Sequence, residues 1–336
     1  MKNFSKITAL TIVAMILAGT LASCAPGEVV DIHRPEDMES YIPEGAEFDF
    51  VTEMIPLTAS PAISNLLLPV ASGTLVKKNA KAEIDYSNNA DGYVMIKYLQ
   101  TTTKNLKVRV TGPSSVNYDY NLKSGNVYEV FPLSDGNGKY TISVFEQVDG
   151  TRYANANSVT VEVKLNDEFA PFIRPNQYVN YKADSATVTK AAELVKGKTD
   201  LIEKISAIYT FVINTLSYNT KFADEVKRGQ HAGYVPDVDA VLSSKVGICF
   251  DYAALMTAML RSQNIPTKLV VGYAGKEYHA WIDVYSEKEG WIGAAISFDG
   301  KTWKLMDPTF ASGGKQSSTV MQYIGDGSNY TAKYLY

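Results

Sequence analysis

Cysteine and histidine are nearly missing: two of the first and three of the second occur in 336 residues. None of them has the paired spacing of a structural zinc site, and two cysteines cannot build a disulfide framework. Positive charge is not concentrated either. Thirty-two basic residues face 36 acidic ones, for a formal net charge of -4, and no basic run or stripe recommends nucleic acid as a partner. Long apolar runs are also lacking. The longest, Ile7 to Leu17, is broken by Thr8 and Thr11 and is shorter than the roughly 20 residues a membrane-spanning helix needs. No cofactor-binding or metal-binding pattern is expected.

That short run has a different meaning. Lys2 and Lys6 precede it, and Ala18-Gly19-Thr20 and Leu21-Ala22-Ser23-Cys24 follow it, which is the layout of a secretory signal. Leu-Ala-Ser-Cys resembles the bacterial lipoprotein box, and this resemblance implies removal of residues 1–23 and lipidation of Cys24. The expectation is an extracytoplasmic protein held on a bacterial cell membrane by acyl chains, each buried methylene contributing about 0.8 kcal/mol. Residues 24–54 carry Glu28, Asp31, Glu36, Asp37, Glu39, Glu44, Glu47 and Asp49 among Pro26, Pro35 and Pro43. With so little apolar surface and so much like charge, this segment reads as an extended tether.

From 55 to 165 the pattern changes to short alternating runs of β-branched and aromatic residues. Gly92 to Tyr98, Leu106 to Val110 and Lys139 to Glu146 are examples, separated by turns such as Gly112-Pro113 and Asp135-Gly136-Asn137-Gly138. This predicts an all-β, immunoglobulin-like antiparallel sandwich. Nothing in it marks a site, so it reads as a spacer and packing partner.

Residues 170–336 read as an α+β domain. Val188 to Val195 is a short helix. Leu201, Ile205, Ile208, Val212 and Leu216 fall on one face of a longer one, with Asp200 and Glu203 as its N-terminal capping pattern. Another helical turn spans Asp237 to Leu242. A helix opening at Cys249 carries Ala253, Met256, Met259 and Leu260 inward and stops at Asn264-Ile265-Pro266. Lys268 to Ala274, Tyr278 to Tyr285 and Trp303 to Met306 are strand-like.

Within this order lie a thiol, an imidazole and a carboxylate. Cys249 is placed at the first turn of its helix, where unpaired N–H groups and the dipole favour a thiolate and can receive a developing oxyanion. On the following sheet His279 shares a strand face with Trp281 and Asp283, and that face is expected to cover the helix. Asp283 is four residues from His279, about 13 Å along a strand, too far for a direct hydrogen bond. Asp251 is about 200° around the helix from Cys249. Asp299 falls in a predicted hairpin turn, Phe298-Asp299-Gly300. Asp307 closes a strand expected to pair with that of His279, which makes it the best orienter of the imidazole. His33 and His231 read as surface residues, and Trp281 as packing with a possible place in a substrate groove.

Gly247-Ile248-Cys249-Phe250-Asp251-Tyr252-Ala253, His279-Ala280-Trp281 and Trp303-Lys304-Leu305-Met306-Asp307-Pro308-Thr309 resemble the three motifs of the transglutaminase-like superfamily, whose core is related to that of papain-like cysteine proteases. The resemblance runs from about Asp239 to Phe310. It implies Cys249 as nucleophile, His279 as base and Asp307 as orienter, with a side-chain oxyanion donor upstream for which Tyr218, Asn219 and Tyr234 are candidates. Phe250 stands where animal transglutaminases usually have Trp, and neither their β-barrels nor a calcium site is evident. The expected activity is acyl transfer at amide bonds of a protein or peptide, by a peptidase, an amidase or a protein-glutamine acyltransferase. The competing expectation is a surface protein that uses the same fold only to bind peptide or glycan.

Overall fold

The computed structural model describes residues 27–32, 65–231, 233–287, 290–292, 296–298, 303–305 and 330–336. Cys24 and Asp307 lie outside the described residues. Among the described residues no helix is long and apolar enough to cross a membrane.

The first half is a β-sandwich. One sheet has strands β2 (Val76–Lys78), β3 (Ala82–Asp85), β4 (Tyr93–Tyr98) and β7 (Glu129–Pro132) in that order. The other runs β1 (Val29–Asp31), β9 (Arg152–Val163), β8 (Gly138–Asp149), β5 (Leu106–Thr111) and β6 (Asn117–Leu122). All of these pairings are antiparallel. The alternation predicted from sequence turns Ile84, Val94, Ile96, Phe131, Val108, Ile142 and Val144 into a shared core, each fully buried.

Two features depart from the sequence reading. Val29–Asp31, inside the stretch read as a tether, pairs with β9, Val30 opposite Tyr153. Ile32 is buried beside Phe145 and Tyr153. Val29, Val30 and Ile32 form a short β-branched run, and it docks on a sheet edge whose N–H and C=O groups need partners. β6, with Tyr118 and Tyr120 on its inward face, has no counterpart among the predicted strands, because its polar positions hide the alternation.

Among the described residues the second half has five α-helices: α1 (Ala186–Val195), α2 (Leu201–Thr215), α3 (Thr220–Lys227), α4 (Val238–Ser244) and α5 (Cys249–Ser262). The Asp200 side chain accepts from the N–H groups of Ile202 and Glu203, and Asp237 caps α4 in the same way. A two-residue parallel pair, β10 (Ser217–Tyr218) and β11 (Val246–Gly247), sets Tyr218 opposite Gly247 just before α5.

Helix α5 is the centre of the domain. From Asp251 to Ser262 every residue is buried. It packs against α1, α2 and α4 on one side and against β12 (Thr267–Ala274) and β13 (Glu277–Ser286) on the other. Asn264 ends it in the left-handed region at φ 58°, as the Asn-Ile-Pro stop predicts. The sheet runs β14 (Gly290–Ile292), β13, β12 and β17 (Tyr330–Leu335). β15 (Ile296–Phe298) pairs with β16 (Trp303–Leu305) in a separate hairpin.

The two halves share one continuous core. Tyrosines join them: Tyr120 of β6 stacks on Tyr178 at 5.6 Å, and Tyr178 meets Tyr336 at 4.6 Å and Phe250 of α5 at 5.5 Å. Each ring buries a large apolar surface, so the sandwich and the helix domain are held against each other by aromatic packing.

Candidate active site

The local sequence builds the entry to α5 with little latitude. Ile248 is the N-cap in extended conformation, and Asp251 at the third helical position reaches back to accept its N–H at 2.8 Å. Gly247 is required here: a Cβ would lie 2.6 Å from that of Asp251. Asp251 therefore folds back over the helix start, its carboxylate held by the Ile248 N–H and the Tyr234 hydroxyl. Burial pushes the Asp251 carboxyl up, while hydrogen bonds from Tyr234 and the Ile248 N–H work against that shift.

Cys249 opens the helix as its first residue and is a half-buried free thiol. At the start of the helix the Ile248 N–H is taken by Asp251 Oδ2 and the Asp251 N–H by Ile248 O, and the N–H groups of Cys249 and Phe250 are the ones an α-helix leaves without an intrahelical acceptor. Cys249 and His279 line one cleft of about 530 Å³. His279 is only 7% exposed and sits near the start of β13, opposite Gly272.

The strand face that covers α5 is not the one expected. Ala280, Ile282 and Val284 belong to the main core, whereas Trp281 packs with Val270, Tyr330 and Leu335 in a separate cluster. The small aliphatic residues fit under a helix that the broad indole would hold off. His279 nevertheless lines the cleft, together with its neighbours Tyr278 and Ala280. Trp281 is 3% exposed, edge-on to Tyr330 at 5.0 Å, and is not among the residues lining the cleft.

The carboxylates separate as follows. Asp283 lies in register with Lys268. Asp251 caps α5. Asp307 and Asp299 lie outside the described residues. Among those that are described, β13 pairs with β12 and β14, and β16 pairs with β15. The expected pairing of the Trp303 strand with that of His279 is therefore not found there; a short hairpin makes β15 the nearest partner for β16. The three upstream polar candidates also separate. Tyr218 is the register partner of Gly247. The Asn219 side-chain oxygen caps α3 by accepting from Phe222 N–H at 2.9 Å. The Tyr234 hydroxyl donates to Asp251 Oδ1 at 2.6 Å.

The sequence reading missed the opposite wall. Asn105, Lys107, Asn121 and Gln147, all on the outer face of the β-sandwich, line the same cleft as Cys249. Lys107 Nζ donates to Asn121 Oδ1 at 2.7 Å, and Asn105 Nδ2 donates to Gln147 Oε1 at 2.9 Å. The sandwich is thus a wall of the site and not a spacer alone. His231, read as an incidental surface residue, also lines it, bonded to Glu225 at 2.8 Å.

Comparison with known proteins bears on the helix domain. Residues 188–295 match the family model of the transglutaminase-like superfamily. Over 194 residues the chain is 23% identical to the uncharacterized protein YebA of Bacillus subtilis, an overlap of 50% of this chain and 25% of the relative. Over 68 residues it is 29% identical to a protein-glutamine gamma-glutamyltransferase of Pseudomonas aeruginosa, 16% of this chain and 10% of that one. The chain spans a quarter or less of the length of these curated relatives. A crystal structure of a candidate cysteine protease from Cytophaga hutchinsonii covers 78% of this chain and 74% of its own at 13% identity, with a TM-score of 0.35.

Proposed function

We propose that this chain is a thiol enzyme that transfers acyl groups from amide donors through Cys249, a reading supported by the match of residues 188–295 to the family model of the transglutaminase-like superfamily. One observation carries the reading: a free cysteine at the first position of a buried helix and a buried histidine line one cleft.

In the proposed reaction the Cys249 thiolate attacks the carbonyl carbon of a glutamine-type or peptide amide. The carbonyl electrons move to oxygen, which is stabilised by the N–H groups of the α5 first turn. The attack forms the S–C bond; collapse restores the carbonyl and breaks the C–N bond, and His279, carrying the proton taken from the Cys249 thiol, delivers it to the departing nitrogen. Water or a primary amine then attacks the thioester, giving its proton to His279 and regenerating the thiolate. Asp307 is assigned the orienter's role on the motif resemblance. Cys24 is assigned the lipid anchor that would hold the enzyme at a membrane outside the cytoplasm. The relative from Pseudomonas aeruginosa, named for glutamine acyl transfer, favours an amide side chain as donor; a peptidase is the hydrolytic variant of the same chemistry.

The test is to incubate the purified full chain with a glutamine peptide, with and without a primary amine. Ammonia release and the mass of Cys249 are followed. A thioester on Cys249 is expected, resolved to acid by water and to a secondary amide by the amine. Absence of a thioester with any donor, together with unaltered alkylation of Cys249 in His279→Ala, overturns the reading.

A further inference from the structure

Tyr234 lines the cleft with Cys249 and His279, and its hydroxyl proton already has a destination. The hydroxyl donates to Asp251 Oδ1 at 2.6 Å, while Asp251 Oδ2 accepts the Ile248 N–H at 2.8 Å. Asp251 is 1% exposed, so the accepting carboxylate is shielded from water, while Tyr234 is half-buried. Burial and the neighbouring carboxylate hold the phenol well above its ordinary pKa, which keeps it protonated. The ring is fixed as well. It meets Phe222 edge-on at 4.9 Å, and Gly233 before it lies against Asn121 so closely that a Cβ would be 2.6 Å from Nδ2.

A phenol has one proton and two acceptor lone pairs. With the proton directed to Asp251, the Tyr234 oxygen can act in the cleft only as an acceptor. It is therefore unsuited to stabilise an oxyanion, the role for which its residue type made it a candidate. The group of an acyl donor that it can receive is an N–H. An amide nitrogen carries one or two such donors beside the scissile bond; an ester oxygen in the same place carries none and sets lone pair against lone pair.

We propose that Tyr234 reads the nitrogen side of the scissile bond and makes the site selective for amide over ester acyl donors, with Asp251 as the positioning residue that fixes the direction of its hydroxyl. The inference rests on the acyl-transfer reading above. A cleft built to accept an N–H discriminates against the isostere that lacks it, because the bound donor covers the half-buried acceptor and leaves it unpaired.

The experiment compares two donors with the full chain: a glutamine peptide and the same peptide carrying a glutamate γ-methyl ester. The ratio of kcat/KM for amide to that for ester is measured through the Cys249 thioester. Tyr234→Phe keeps the ring and removes the acceptor, and the ratio is expected to fall about tenfold. Asp251→Asn must still accept the Ile248 N–H through Oδ1, so its Nδ2 donates to the Tyr234 oxygen and turns the phenol proton into the cleft. There the ratio is expected to fall further than in Tyr234→Phe. If Asp251→Asn does not fold, Tyr234→Phe decides alone. Thioester formation from both donors with an unchanged ratio in Tyr234→Phe overturns the inference and leaves acyl transfer standing. No thioester from either donor in the unsubstituted chain removes acyl transfer, and the inference with it.

Discussion

Arg261 Nη2 donates to the backbone oxygen of Tyr336 at 2.6 Å, joining the last turn of the Cys249 helix to the end of β17 in the interior. The same guanidinium donates from Nε to Thr267 O and from Nη1 to Arg174 O, both at 2.8 Å. Arg261 is completely buried, and burial pulls its pKa down to about 10. The charge persists because three carbonyl oxygens replace its water shell. One side chain thus holds the segment entering the domain, the sheet and the strand that closes it.

Arg261→Met is expected to destabilise the chain by about 3 kcal/mol, since two buried backbone oxygens and one part-buried one lose their donor. Lysine should rescue little of this, because an ammonium lacks the planar fork that serves three directions at once. Urea denaturation of the purified variants checks both statements. A loss below about 1 kcal/mol for Arg261→Met would remove the clasp from the account of the fold.

Acid should weaken the sandwich through Glu146. Burial raises its pKa, yet hydrogen bonds from Lys81, Lys104 and Tyr98 act more strongly in the other direction, and the result is about 2 against an ordinary 4.5. The folded value lies below the unfolded one. The stabilisation is therefore present above about pH 4.5 and lost as the pH falls toward 2. Glu83, also lowered and held by Lys78, Lys97 and Tyr128, adds in the same direction. In Glu146→Gln the melting temperature should be lower at neutral pH and should fall less between pH 5 and 3, as followed by calorimetry; an unchanged acid slope would assign that loss elsewhere.

Gly247→Ala should damage the site without touching a reacting atom. The new methyl would lie 2.6 Å from Asp251 Cβ and 3.0 Å from Oδ2, so the carboxylate that caps α5 has to move. A stability loss of about 1–3 kcal/mol is expected. Alkylation of Cys249 by iodoacetamide should slow at neutral pH, because the first turn that favours the thiolate is displaced. An unaltered alkylation rate would show that the entry to α5 tolerates the shift.

The sandwich wall predicts a kinetic separation under the acyl-transfer reading. Asn121→Ala and Lys107→Ala remove polar groups that line the cleft from β5 and β6, so KM for an amide donor should rise several-fold. Iodoacetamide, small enough to need no wall, should alkylate Cys249 at the original rate. Equal losses with both reagents would mean that these substitutions disturb α5 and not substrate binding.

Much of the helix domain was legible because its signals are local. Asp200, Asp237 and the Asn264-Ile265-Pro266 stop each act on N–H or carbonyl groups within a few residues, and the apolar period of α2 needs only its own turn of chain. The sandwich strands were legible by alternation wherever the outward positions were polar and the inward ones apolar. β6 and β17 escaped for the converse reason: Asn117-Tyr118-Asp119-Tyr120-Asn121 and Tyr330 to Leu335 mix tyrosine with polar residues, and tyrosine suits both a core and a surface. α3 lacks the long apolar stripe that announced α2.

At the site, the chain order alone placed Cys249 at a helix start and His279 on a following strand, since glycine lead-in, helical period and strand alternation are properties of neighbouring residues. Which face of β13 covers α5 was a tertiary decision, taken by the fit of Ala280, Ile282 and Val284 against a fully buried helix. That Asp251 directs the Tyr234 hydroxyl, and that Lys107 and Asn121 line the same cleft as Cys249, depended on segments up to 142 positions apart in the numbering being brought to one cleft. Hydrogen-bond direction and domain packing arise only when distant segments meet, because the desolvation that makes them decisive exists only in the folded core.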